Sequence, residues 1–308
     1  MSTILCVGEA LISLTPPAGT PLVDATDLHL STGGAEVNVA AHLARLGVPT
    51  RFAGRVGQDA FGARLRQTLD DLGVDSRFLE VDPERPTGLY VKDATGSATT
   101  MRYYRSTSAA TSYRHVPAPA LADVAHIHLT GITPALSDDC RQLVEELLAL
   151  DDVKTSFDVN YRSALWGKGE AAGILRSLAE RADIVFVGLD EAGDVWGCRT
   201  VDEVRRLLPQ PFELIVKDGS REAVAFVGSR VVRVPAPVID VVEPVGAGDA
   251  FAAAYLAARH YGHDPEDALH WGHTLAGAVL QVLGDHGVTM DRTTLEEQIR
   301  AEAVNHGA

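Results

Sequence analysis

The chain has 308 residues, enough to bury a large core, and sets 27 Lys plus Arg against 42 Asp plus Glu for a formal charge of -15. Such a charge repels nucleic-acid backbones and anionic lipid at long range, which argues against roles on either. The cysteines, Cys6, Cys140 and Cys198, are too scattered for a disulfide framework or a metal spacing, and no window nears the roughly 18 apolar residues of a spanning helix, so the expected setting is the reducing cytoplasm.

Taken in chain order, residues 3–7 read as a buried strand, 37–46 as a helix closed by Gly47, and 50–56 as the next strand. Strand signals recur at 125–129, 155–159, 184–187 and 214–217, with helical patterns at 140–150, 171–181 and 201–208 between them. Short Val- and Ile-rich strands alternating with amphipathic helices predict an α/β fold: a doubly wound, mainly parallel sheet with helices on both faces. Residues 11–30 and 87–105 break the alternation with β-type and turn residues, and are expected to build a small inserted sheet. Residues 1–308 are expected to form one domain, the inserted sheet serving as its lid. Exposed strand edges recruit partner strands, so a homo-oligomer is expected.

The strongest chemical signal is the run from Pro244 through Gly246, Ala247, Gly248 and Asp249 to Phe251, ahead of the helix-prone residues 252–259. Glycines before a helix let backbone N–H groups converge on an anion, and the helix N-terminus adds partial positive charge. A carboxylate there repels phosphate and is explained if it accepts a proton from an attacking hydroxyl; the alternative is that Asp249 merely caps the helix. The Lys-Ser/Thr of a Walker loop and the third glycine of a dinucleotide loop are both absent. Gly33 and Gly34 permit close backbone approach to a ligand, with Asn38 one turn into the next helix. His126 and His128 alternate on one strand and share a face.

Three segments together resemble the PfkB, or ribokinase-like, carbohydrate kinases: residues 33–38 (Gly-Gly-Ala-Glu-Val-Asn), residues 54–62 (Gly-Arg-Val-Gly-Gln-Asp-Ala-Phe-Gly) and residues 246–249, in that order and over nearly the whole chain. Residues 88–90, 103–105, 129–136, 158–162 and 284–286 further resemble the 2-keto-3-deoxygluconate kinase branch. The resemblance implies transfer from ATP with Mg2+, Asp249 as base and Gly246, Ala247 and Gly248 as the anion cradle. It implies substrate contacts from Gly33, Gly34, Asn38, Tyr90, Tyr104, Arg105, Arg162 and Asp285, the two arginines selecting a carboxylate. Nucleotide contacts are implied for Asn160, Arg162, Gly188, Lys217, Gly219, Ser220, Arg221, Glu222 and the cradle. Glu191 is a magnesium candidate, although Gly188 stands where the family has Asn. Glu243 replaces the family's Asp and leaves monovalent-cation dependence open. Other sugar kinases of the fold, acting on fructose, ribose or a nucleoside, and a non-catalytic sugar-acid sensor are the alternatives.

Overall fold

Nine strands form the main sheet of the computed structural model, which describes residues 2–17, 19–95, 98–167, 169–282 and 288–306. The strands are β1 (Thr3–Val7), β4 (Thr50–Gly57), β5 (Asp75–Asp82), β8 (Val124–Thr130), β9 (Lys154–Asp158), β10 (Ile184–Gly188), β11 (Glu213–Asp218), β12 (Glu222–Val227) and β13 (Arg230–Pro235), in the order β13-β12-β11-β10-β9-β8-β1-β4-β5. Pairing is parallel from β5 to β11, and β12 and β13 add an antiparallel edge. The expected architecture is therefore the observed one, with that edge added.

Helices α1 (Ala35–Arg45), α2 (Ala60–Asp71), α7 (Ala247–His260) and α8 (Pro265–Leu280) pack on one face around Phe52, Phe186 and Tyr255. Helices α3 (Asp138–Leu147), α4 (Ala171–Ala179), α5 (Leu189–Trp196) and α6 (Val201–Leu207) cover the other around Ile127, Phe157 and Val185. Alternate residues of each strand supply opposite cores, which is why the interior strands are apolar without a break. A last helix, α9 (Arg292–His306), adds Leu295 and Ile299 to the first core. No helix among the described residues is long and apolar enough to cross a membrane.

The segments that broke the alternation build a separate four-stranded sheet, ordered β3-β2-β6-β7, from β2 (Leu11–Thr15), β3 (His29–Gly33), β6 (Leu89–Thr95) and β7 (Ala98–Tyr104). It is tied to the loop before α7 by a partly buried ion pair, Lys92 Nζ to Glu243 Oε1 at 2.5 Å.

The histidines of β8 carry a prediction about stability. Both rings reach the Ser156 hydroxyl of β9, His126 Nε2 at 2.8 Å and His128 Nδ1 at 2.9 Å. Burial, reinforced for His126 by His128 and for His128 by Lys217, lowers both to about 3. An unfolded chain protonates its histidines near 6.5. Between about 6.5 and about 3 the unfolded state therefore holds protons that the folded state refuses, and stability falls as pH falls through that window. The buried Asp249 carboxyl acts in the opposite sense over the same window, so the histidines are read by difference: from pH 7 to pH 5 the urea midpoint of wild type should fall relative to that of His128→Gln. Equal slopes in the two proteins would contradict this assignment.

Candidate active site

Strand order reverses beside β1: the chain first adds β4 and β5 on one side, then returns to lay β8, β9, β10 and β11 on the other. Open α/β sheets bind ligands at the carboxyl ends of the strands flanking such a reversal. There the chain leaves β1 into Glu9, β8 into Ile132 and β9 into Asn160, and all three residues line a cavity of about 270 Å3. Leu11 and Tyr90 of the small sheet wall it from above, and Gly246, Gly248 and Asp249 from the side.

Gly34 makes the turn from β3 into α1. Its φ of 125° is a conformation that residues with a Cβ rarely adopt, and a Cβ there would stand 2.3 Å from the Glu9 carbonyl oxygen. The tight turn sets Asn38 in the first turn of α1, where its Nδ2 donates to Asp249 Oδ2 at 2.7 Å. Asn160, just past β9 with φ of 39°, donates from Nδ2 to the other carboxylate oxygen, Oδ1, at 3.2 Å.

Helix α7 starts earlier than the sequence suggests. Gly246 is its N-cap with φ of 82°, and Ala247 and Gly248 are its first helical residues rather than a loop before it. This correction strengthens the anion cradle, because first-turn N–H groups have no carbonyl partner within a helix and the axial dipole is positive there. The cap reading of Asp249 is not supported: no side chain caps this helix, and both Asp249 oxygens accept from asparagines.

Burial raises Asp249 to about 7; Asn38 opposes the shift, Asp158 adds to it, and Arg162 and Lys217 oppose it. A carboxylate with that affinity takes a proton near neutrality and gives it up again. Lys217 Nζ lies 3.2 Å from Asp158 Oδ2 and would be 3.4 Å from a Cβ on Gly248, which puts an ammonium at the mouth of the cradle. Burial works against its charge, but Asp158 and Glu191 outweigh burial and raise its pKa.

Strand parity decides which tyrosines face the cavity. Tyr90 of β6 lies opposite Tyr103 of β7, their ring centroids 5.5 Å apart, and both line the cavity. Tyr104, the residue expected from sequence, is 63% exposed and does not line it. Successive strand residues point to opposite faces, so the Tyr-Tyr pair offered two choices and the neighbour faces inward.

Arg105 lines the cavity but is buried against Glu9, Nη1 to Oε2 at 2.7 Å, with its guanidinium 4.2 Å over the Tyr103 ring. Arg162 lines it half-exposed, 3.3 Å from Glu191 Oε1. Glu191 Oε2 accepts from the Gly188 N–H at 3.0 Å and so also fixes the start of α5. Gly33 ends β3 and is buried outside the lining. Gly219, Ser220 and Arg221 form the turn after β11, where Arg221 pairs with Asp218 at 2.8 Å; Glu222 opens β12 and pairs with Arg233 at 2.6 Å. Asp285 lies outside the described residues.

Sequence reasoning missed Glu9, Glu36 and Asp158. The available signal was position: Glu9 and Asp158 stand at the carboxyl ends of strands flanking the reversal, and Glu36 opens the helix that carries Asn38.

Among the described residues, no three His, Cys, Asp or Glu side chains gather as a metal cage. Two carboxylates do stand near Lys217: burial raises Glu191, with Lys217 opposing and Asp158 adding. A magnesium ion carried on phosphates keeps most of its waters and needs one or two protein carboxylates, and this pair fits that requirement.

The family model for pfkB carbohydrate kinases matches residues 1–290. Among curated relatives, the chain is 30% identical to a 2-dehydro-3-deoxygalactonokinase of Haloferax volcanii, over 92% of this chain and 93% of that one. It is 31% identical to the 2-dehydro-3-deoxygluconokinase of Escherichia coli K12, over 91% and 96%. Among solved structures, an E. coli protein assigned as ribokinase II, in complex with ATP and Mg2+, superposes with a TM-score of 0.89 at 25% identity, covering 98% of this chain and 100% of that one. A helix-start anion cradle facing a near-neutral carboxylate is the equipment for phosphorylating an alcohol, and the chain accordingly belongs to the pfkB family of carbohydrate kinases, as an ATP-dependent sugar kinase.

Proposed function

We propose that this kinase phosphorylates the terminal hydroxyl of 2-keto-3-deoxygluconate, giving ADP and 2-keto-3-deoxy-6-phosphogluconate. The observation that carries this reading is the presence of two arginines, Arg105 and Arg162, in the same cavity as Asp249. A guanidinium recognises a carboxylate through paired N–H donors, which a neutral sugar does not reward.

In the proposed reaction, Tyr90 and Tyr103 cover the carbon chain and the small sheet acts as the lid that holds water out. The terminal hydroxyl sits at Asp249, anchored by Asn38 and Asn160. Its oxygen attacks the γ-phosphorus in line as its proton passes to Asp249, and the bond from that phosphorus to the β–γ bridging oxygen breaks to release ADP. The first-turn amides at Ala247 and Gly248 meet the charge that develops on the transferred group, where a fixed dipole works without reorganising. Lys217 sits on the nucleotide side, with the backbone at Gly188 and the turn Gly219, Ser220, Arg221 and Glu222 beyond it. Magnesium would be held through Asp158 and Glu191 and would neutralise phosphate charge.

A second reading is favoured by one feature: each arginine already has a carboxylate partner, Glu9 for Arg105 and Glu191 for Arg162. That pairing dilutes the attraction for an acid and would suit a neutral sugar such as fructose. A substrate panel decides between them. With ATP and magnesium, kcat/KM for 2-keto-3-deoxygluconate or its galacto epimer should exceed that for fructose and ribose by roughly 10- to 100-fold, the worth of one or two charge-assisted contacts. Preference for fructose would refute the assignment to sugar acids.

A further inference from the structure

Two parts of the chain that wall the cavity are joined beyond it by an ion pair. Tyr90 of β6 and Tyr103 of β7 line the cavity, and so does Met101, which shares a face of β7 with Tyr103. Lys92 lies opposite Met101 and, two residues beyond Tyr90, shares that same face. Its Nζ reaches out of the small sheet to Glu243 Oε1 at 2.5 Å, across 151 residues of sequence. The lysine side chain is 5% exposed and the glutamate 12%, so water screens this pair far less than it would a surface pair.

Glu243 sits on the loop that leads into the anion cradle. Pro244, Val245 and Gly246 follow it and line the cavity, Gly246 being the N-cap of α7. On its other side the loop is pinned to the end of α8, where the N–H groups of Val242 and Glu243 both donate to the Leu280 carbonyl, at 2.7 and 3.2 Å. Pro244 fixes its own φ and leaves little slack between Glu243 and the cradle amides. The loop is thus set from the main domain by Leu280 and from the small sheet by Lys92. Separating such a pair strands a charge away from bulk water, which favours arrangements that keep the partners together. Those are the arrangements in which the sheet lies over the cavity and the cradle loop stands beside it.

We propose that the Lys92–Glu243 pair couples the two substrates of this kinase. Sugar bound beneath Tyr90 and Tyr103 holds the small sheet down, seats Lys92 on Glu243 and so sets the cradle for the nucleotide phosphates. Nucleotide in the cradle holds Glu243 in place and, through Lys92, keeps the sheet over the sugar. Coupling of this kind is reciprocal: each ligand tightens the other by the same factor. Lys92 is a positioning residue, acting through Glu243 and the cradle rather than on the reacting atoms. The inference rests on the placement of the sugar beneath the small sheet in the reading above, and not on the sugar's carboxylate.

Calorimetric titration with Mg-ADP, alone and with saturating 2-keto-3-deoxygluconate or fructose, reads the coupling without turnover. The sugar should tighten Mg-ADP binding roughly tenfold in wild type, inside the usual range of coupling between sites. Lys92→Arg keeps the charge and should keep most of that factor, whereas Lys92→Met should bring it below about twofold. A lysine that merely held the fold together would, on removal, weaken both ligands and leave the factor unchanged. That result would overturn the inference, as would a wild-type factor near one with both sugars. The double variant Lys92→Met/Glu243→Gln strands no charge and decides the matter if Lys92→Met does not fold. Its factor should also fall below about twofold, and a wild-type factor in it would sink the proposal. If fructose tightens Mg-ADP and 2-keto-3-deoxygluconate does not, the sugar-acid reading fails while the coupling stands.

Discussion

Asp249→Asn should lower kcat by roughly 10²-fold or more, with the KM for ATP little changed, because the amide cannot take the hydroxyl proton while the cradle at Ala247 and Gly248 is intact. In wild type, activity should rise with pH through about 7 as Asp249 ionises, and the residual activity of the variant should lack that limb. The same substitution should leave the fold standing. Asn38 Oδ1 and Asn160 Oδ1 are buried without hydrogen-bond partners, so an amide nitrogen at position 249 finds an acceptor. The folded carboxyl binds its proton more tightly than the unfolded one, so its contribution to stability is fully present below about 3.9 and lost as pH rises through about 7. At pH 8 the variant should therefore melt at or above the wild-type temperature. A variant with near-normal kcat, or one that melts far below wild type at pH 8, would defeat the assignment.

Gly34→Ala is the second large effect expected. The residue sits at φ of 125°, and an added Cβ would lie 2.3 Å from the backbone oxygen of Glu9, an atom that cannot swing aside. Backbone strain and a main-chain clash together should cost about 2–4 kcal/mol of folding stability. Relief of the clash would displace Glu9, and with it the Arg105 guanidinium 2.7 Å from its carboxylate, so the KM for the sugar should rise at least tenfold while that for ATP changes less. Urea denaturation and steady-state kinetics read the two effects separately. An unchanged urea midpoint would mean that the turn is not strained as described.

The parallel interior was legible because burial on both faces leaves a strand no polar positions: residues 3–7 and 184–187 read as strands and are strands. The antiparallel edge, β12 and β13, was not read, since Glu222–Val227 and Arg230–Pro235 each follow the preceding strand across a short turn rather than a helix. At the site, Asp249, Gly34 and Asn38 could be read because glycines and a polar group interrupt otherwise apolar helix starts. The tyrosine facing the cavity could not, because parity is set by pairing between β6 and β7 and two adjacent tyrosines fit either register. Nor could the ion pairs that hold Arg105 and Lys92. Their partners are 96 and 151 residues away, and only the fold brings them within reach.

The bond from Asn38 to Asp249 spans 211 residues. At the usual 5–20 residues per second of synthesis, roughly 10–40 s separate the emergence of the two side chains from the ribosome. During that interval the nascent chain owns half a sugar pocket and no proton acceptor, so an unfinished molecule cannot spend ATP.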